Sequence, residues 1–340
     1  YFRISTNDPL QIHNTSGKWK WQFLDLFRKE LFEKRFDNIG GAVQALFEEV
    51  VISWVRNAIS MTGIRDLALS GGGFMNVKVN GKILNMPEVD SLFVFPSCGD
   101  ESNPIGAAIL AALGQGFGYR EISPLDMISW GPEYSDKDVH AAIDSFLPGQ
   151  GFHVSQHDEI DRFVGREVAK GKIIGRATGR MEWGARALGN RSIVADPRSQ
   201  GVIHRINKAI KMRDFWMPFA PAILPEYAEQ YLKARHDFYC PFMVVAFDTH
   251  LKAHQDIPAG LHPFDHSARA QVVDRDFHPR FHALIKSFEE ETGVGGVLNT
   301  SFNLHGDPIV CSPEDAIHTF IHSDLDAIQL EHYYIERRAM

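Results

Sequence analysis

Short apolar runs that stop at glycine or at an acidic turn, each followed by helical spacing, most limit what this chain can fold into. Asp66-Leu67-Ala68-Leu69-Ser70 enters Gly71-Gly72-Gly73, and the spacing then predicts a helix from Phe74 to Leu84. Ser91 to Phe95 reads as a second strand, stopped by Pro96, which delivers Gly99-Asp100-Glu101-Ser102 to an alanine-rich helix from about Pro104 to Leu113. Strand, turn, helix in this order is an α/β pattern with its reactive residues at strand ends, where open sheets hold ligands. Upstream, Trp19 to Phe36 and Ala42 to Met61 have helical spacing, and Gly114 to Gly131 reads as a connector. Beyond it the spacing predicts helices at 136–146, 159–169, 200–212 and 280–292, and strands at 172–176, 220–224, 242–247 and 296–298. Ser312-Pro313-Glu314-Asp315 is a helix start, with a serine cap, proline at the first helical position and acids in the first turn. All-β and all-helical folds are excluded.

The length of 340 residues suits two domains of roughly 150 residues each. The chain carries a net charge of −8, yet between Arg166 and Arg213 twelve Lys/Arg face three acids, Glu167, Glu182 and Asp196. Glycines at 171, 175, 179, 184 and 189 interleave those cations, which suits backbone approach to a phosphate better than a solvated helix face. The acidic whole argues against nucleic acid and points to a small phosphorylated ligand. No apolar run approaches the roughly 20 residues of a membrane helix, so no membrane partner is expected. Cys98, Cys240 and Cys311 form no C-x-x-C pair, which fits a reducing, cytoplasmic setting.

Candidate residues follow from this pattern. Gly71, Gly72 and Gly73 after a strand suit a phosphate at the next helix N-terminus. Asp100, at a strand end, suits a hard cation or Fe²⁺. Arg180, Arg186 and Arg191 sit among Gly179, Gly184 and Gly189; Lys211 and Arg213 lie two residues apart, as do Ser301 and Asn303. Together they provide cations to neutralise phosphates and neutral donors to orient them. Five H-x-x-x-H spacings (His153/His157, His250/His254, His262/His266, His278/His282, His318/His322) read as surface or loop histidines.

Gly184-Ala185-Arg186-Ala187-Leu188-Gly189-Asn190-Arg191-Ser192-Ile193, Asp196-Pro197-Arg198, Pro218-Phe219-Ala220-Pro221 and Leu298-Asn299-Thr300-Ser301-Phe302-Asn303 resemble the carbamoyltransferase family of nodulation and antibiotic-tailoring enzymes, the NodU/CmcH type. Leu69 to Asn76, Gly99-Asp100-Glu101 and Ile105-Gly106-Ala107-Ala108 resemble the end of that family's first domain. The resemblance implies an α/β fold in which residues 1–127 are the C-terminal part of an actin-like (ASKHA) carbamoyl-transfer domain and 128–340 a YrdC/Sua5-like domain. It implies an ATP-dependent enzyme that makes carbamoyladenylate from carbamoyl phosphate and passes the carbamoyl group to a small-molecule hydroxyl acceptor. The family's K-x-R and S-x-N signatures fall on Lys211/Arg213 and Ser301/Asn303, its motif arginines on Arg186 and Arg269, and its metal aspartate on Asp100. Mg²⁺ with ATP, and Fe²⁺ or Mn²⁺ in the transfer domain, are implied with them.

Two departures stand out. Met217 occupies the position before Pro-Phe-Ala-Pro where the family more often has arginine. Residues 1–41 contain only His13, where the family's first domain begins with an H-x-x-x-H metal pair, so the N-terminal part of that domain is expected to be missing from this chain. The rival readings are a threonylcarbamoyl-type tRNA-modifying enzyme and a catalytically incomplete nucleotide or carbamoyl phosphate binding protein. Oligomeric state and acceptor identity are not legible in the residues.

Overall fold

The computed structural model describes residues 2–338 apart from 20, 124, 126, 127, 148–150, 212–216, 236 and 237; the side chains of Ala209 and Lys211 also lie outside the description. The chain divides into two compact units, Tyr1–Phe95 and Pro96–Met340.

In the first unit, β1 (Phe2–Ile4) pairs antiparallel with β2 (Ile12–Asn14). The helix expected over Trp19 to Phe36 is shorter, α1 (Gln22–Glu30), because Glu33 takes a left-handed φ of 60° and Phe36 already opens α2 (Phe36–Thr62). β3 (Asp66–Leu69) runs parallel to β4 (Ser91–Val94), with Leu69 opposite Val94. Both strands stand where the sequence puts them. The helix expected from Phe74 begins instead at Val77, giving α3 (Val77–Leu84), because the Asn76 side chain accepts from the Val79 amide at 3.1 Å and caps it there. Gly71, Gly72 and Gly73 are exposed and lead only into a single 3₁₀ turn, Gly72–Met75. The helix N-terminus that the phosphate reading required is therefore not at the glycines.

The second unit contains α4 (Asn103–Gly114), α5 (Asp136–Phe146), β5 (Phe152–Gln156), α6 (Ile160–Ala169), β6 (Ile174–Ala177), β7 (Arg191–Ala195) and α7 (Gly201–Ile206). After these come β8 (Ala220–Ile223), α8 (Pro225–Tyr231), α9 (Leu251–Asp256), β9 (Gln271–Val272), α10 (Pro279–Thr292), β10 (Gly296–Ser301), α11 (Pro313–Ile321), β11 (Ala327–Leu330) and β12 (Tyr333–Arg337). One mixed sheet has the order β5-β12-β11-β6-β7-β10-β8-β9, parallel only between β6 and β11 and between β8 and β9. The strand expected over Phe242 to Phe247 is absent: Met243 adopts φ 56°, and only Phe247 makes a bridge, to Ala268. The helix expected over 200–212 stops at Ile206 and continues as a π turn, Asn207–Lys211, a wider coil that recurs at functional positions.

Pairing register sorts the side chains. Gln329, Arg176, Ser192 and Ser301 lie opposite one another across β11, β6, β7 and β10, so they share a face. Asp161 of α6 reaches Arg176, and Arg280 of α10 reaches Asp161, which puts both helices on that face. The other face is apolar, with Ile193, Leu298 and Phe302 packed in one core with Val139, Ile143, Ile206, Ile317 and Phe320. Gly175 is glycine for a local reason: a Cβ there would stand 2.6 Å from Cζ of Phe302.

Candidate active site

The loop joining β6 to β7 carries Arg180 and Arg186 and ends at Arg191, the first residue of β7, and its shape comes from one acid. Glu182 is buried, and its Oε1 accepts from the amides of Leu188 at 2.7 Å, Asn190 at 2.7 Å and Arg191 at 3.3 Å. Side chains from the sheet grip the same loop by its carbonyls. Gln271 Nε2 donates to Leu188 O at 2.8 Å, and Asn299 Nδ2 donates to Ala187 O at 3.2 Å and to Gln271 Oε1 at 2.9 Å. Gln271 lies two residues after Arg269 in β9, and Asn299 two residues before Ser301 in β10. These bonds therefore draw together the segments that carry Arg186, Arg269 and Ser301.

The π turn joins them. His305 N donates to Ile210 O at 3.1 Å, so the stretch after Ser301 and Asn303 lies against the residue preceding Lys211. Ser301 Oγ donates to Asn303 Oδ1 at 2.7 Å, and Asn303 Nδ2 donates to the carbonyls of Leu304 and Asp307, each at 2.8 Å. Lys211 closes the π turn with its side chain outside the description, and Arg213 lies outside the described residues. Arg269 is half-buried at the approach to β9. Three buried polar atoms in these segments, Ser192 Oγ, Asn207 Oδ1 and Asn299 Oδ1, have no hydrogen-bond partner among the described residues. A bound polar ligand or water satisfies such atoms; a dry core does not.

Most of the basic segment is consumed inside the fold. Arg191 is buried, and its guanidinium donates to the carbonyls of Thr178 at 2.9 Å, Asn190 at 3.0 Å, Cys311 at 3.1 Å and Gly179 at 3.2 Å. It closes the loop and has few donors left for a nucleotide. Arg180 is exposed and donates to Trp130 O at 3.0 Å, beside the Trp130 and Trp183 rings, which lie 5.7 Å apart and tilted by 35°. Arg198 pairs with Asp196 at 2.6 Å and Arg205 with Asp326 at 3.0 Å, while Lys170 and Lys172 share Glu167. Arg186 differs: it is half-buried, has no hydrogen-bond or ion-pair partner among the described residues, and burial alone holds its pKa below the usual arginine value. A guanidinium partly withdrawn from water and given no acceptor among its described neighbours suits an anion.

Glu182, Gln271 and Asn299 were not singled out as site residues from sequence. Glu182 had a signal, being one of three acids in a run of cations. The two amides lie inside motifs already named for their neighbours, Asn299 two residues before Ser301 and Gln271 two after Arg269, but their role was not legible because the groups they bond are far along the chain. Asp100 is exposed in a 3₁₀ turn before α4, and among the described residues no three of His, Cys, Asp and Glu converge on a metal position. Among the described residues no helix is long and apolar enough to cross a membrane.

The sequence model described as "Carbamoyltransferase C-terminus" matches residues 165–337, and the one described as "Carbamoyltransferase N-terminus" matches residues 3–109. The second match begins at residue 3, upstream of every motif on which the expectation of a missing N-terminal part rested, and so does not bear that expectation out. An uncharacterized protein of Methanocaldococcus jannaschii is 34% identical over 96% of this chain and 52% of its own length. The nodulation protein NolNO of Sinorhizobium fredii is 34% identical over 99% of this chain and 50% of its own length. The chain thus spans about half the length of these curated relatives. A crystal structure of HypF from T. kodakarensis aligns with a TM-score of 0.37 at 12% identity, covering 61% of this chain and 27% of that one.

Proposed function

This chain belongs to the carbamoyltransferase family, and on that premise we propose that residues 128–340 form a YrdC/Sua5-like domain that makes carbamoyladenylate from carbamoyl phosphate and ATP. In the same reading, residues 1–127 are part of an actin-like domain that passes the carbamoyl group to a hydroxyl of a small-molecule or sugar acceptor. The observation that carries the proposal is Arg186, a half-buried cation without an acceptor among the described residues, in the loop that Gln271 and Asn299 tie to the Arg269 and Ser301 segments.

The chemistry is an electrostatic problem. Water cleaves carbamoyl phosphate to carbamate and phosphate. A carbamate oxygen then attacks the α-phosphorus of MgATP, the bond to the bridging β-phosphate oxygen breaks, and pyrophosphate leaves. Two anions must meet, so fixed positive charge at the point of attack lowers the barrier more than it stabilises the separate substrates. Arg186 and Arg269 supply such charge, with Lys211 and Arg213 as the family signature assigns them. Ser301 and Asn303 orient the nucleotide or phosphate by turning to it donors that in the free chain bond Asn303 Oδ1 and the carbonyls of Leu304 and Asp307. A resident Fe²⁺ or Mn²⁺ does not fit the described residues, since Asp100 stands exposed and alone, and no step is drawn through one.

Incubation of the chain with MgATP should release pyrophosphate only when carbamoyl phosphate is present, with carbamoyladenylate detectable by mass spectrometry. Pyrophosphate release indifferent to carbamoyl phosphate, or none with both substrates, would overturn the reading.

A further inference from the structure

Four charged side chains away from the candidate reacting groups form one chain of ion pairs that runs from the core to the half-buried Arg280 and Glu331. Arg176 of β6 is fully buried and pairs with Asp161 of α6; Asp161 Oδ2 accepts from Arg280 Nε of α10 at 2.9 Å, and Arg280 Nη1 donates to Glu331 Oε2 at 2.6 Å. Gln329 braces the centre, accepting from Arg176 Nη1 at 2.8 Å and donating to Asp161 Oδ1 at 2.8 Å. Two carboxylates balance two guanidiniums, so the network is neutral.

Its two ends leave the ion pairs and take hold of backbone. At one end, Glu331 Oε1 accepts from the amide of Gly179; at the other, Arg176 Nε donates to the carbonyl of Gly189 at 2.7 Å. These glycines bound the loop that carries Arg186, and they are left-handed, with φ of 52° at Gly179 and 126° at Gly189. The network therefore holds the loop at both of its bounding glycines. Buried ion pairs rarely stabilise a fold better than apolar residues of the same size, because desolvation offsets the attraction. Their directional bonds nonetheless fix geometry.

Resting on the reading of Arg186 as an anion site, we propose that Asp161, Arg176, Arg280 and Glu331 act as positioning residues that clamp the Gly179–Gly189 loop and present Arg186 already oriented to the reacting phosphates. An unclamped loop would have to order its guanidinium in each catalytic cycle, which lowers kcat more than it weakens ATP binding.

Arg280→Gln provides the test, since Arg280 is only partly buried and touches neither glycine, so the change breaks the chain of pairs without entering the loop. Amide hydrogen exchange at Leu188, Asn190 and Arg191 should quicken about tenfold while β10 amides keep their wild-type rates, and kcat should fall about tenfold with KM for ATP within about threefold. Glu331→Ala, which removes the acceptor for Gly179 as well as the partner of Arg280, should quicken loop exchange at least as much, and exchange unchanged there would also overturn the proposal. Loop exchange unchanged in Arg280→Gln, or loop and β10 quickened equally, would overturn the proposal. A wild-type chain that releases no pyrophosphate would instead overturn the functional reading, and the exchange measurement would still decide whether the clamp exists.

Discussion

Arg186 and Arg191 stand five positions apart in one motif, and the fold gives them opposite roles. Arg191 donates to four carbonyls and holds the loop shut; Arg186 meets no acceptor among the described residues. Arg186→Ala should therefore abolish most carbamoyl-phosphate-dependent pyrophosphate release, by about two to three orders of magnitude, since a preorganised charge is removed from the reacting site. The same change should leave the melting temperature unchanged or slightly higher, because it removes a half-buried cation that no acidic partner offsets. Parallel activity and thermal-melt measurements would check both, and a large fall in melting temperature would reassign Arg186 to the fold.

Elements place these side chains, and their starts and crossings can be tested singly. Helix α11 begins with a capping box in which Ser312 Oγ accepts from the Asp315 amide at 3.2 Å and the Asp315 carboxylate accepts from the Ser312 amide at 3.0 Å. Ser312→Ala should cost about 1 kcal/mol in urea unfolding. The crossing of the β6–β7 loop over α10 is tighter: a Cβ on Gly189 would stand 2.5 Å from the Phe281 ring and 2.8 Å from His278 Nε2, at φ 126°. Gly189→Ala should destabilise by about 2–4 kcal/mol, combining left-handed strain with overpacking. A wild-type urea midpoint for that variant would contradict the packing described.

Across the whole molecule, buried titratable groups set the response to acid. Ion pairing with Arg176 and Arg280 outweighs the cost of burial and holds Asp161 down to about 2, so its stabilisation is present above the usual aspartate value near 4 and is lost as pH falls toward 2. Burial pushes His278 down to about 3, so between about 6.5 and 3 the unfolded chain binds a proton that the folded chain refuses. Both effects have the same sign. Unfolding free energy should fall as pH drops below about 6.5, and His278→Leu should flatten that slope between pH 6.5 and 5, measured by urea titration at each pH. An unchanged slope in the variant would show that His278 is not the group responsible. Local sequence sufficed wherever cause and effect lie within a turn or two of each other. The α/β class, the helices over 136–146 and 279–292, the serine cap at 312 and the glycine-arginine motif were all legible because spacing, capping and glycine content act over a few residues. Strands β1, β2, β5, β7, β9, β11 and β12 were not, since short strands depend on the neighbours a sheet sets beside them more than on their own pattern. The distinction among the arginines was equally out of reach. Whether a guanidinium meets a carboxylate, a carbonyl or nothing depends on which side chains the sheet sets opposite it, and Asp161 and Arg280, 119 residues apart, share a half-buried bond only because α6 and α10 cover the same face.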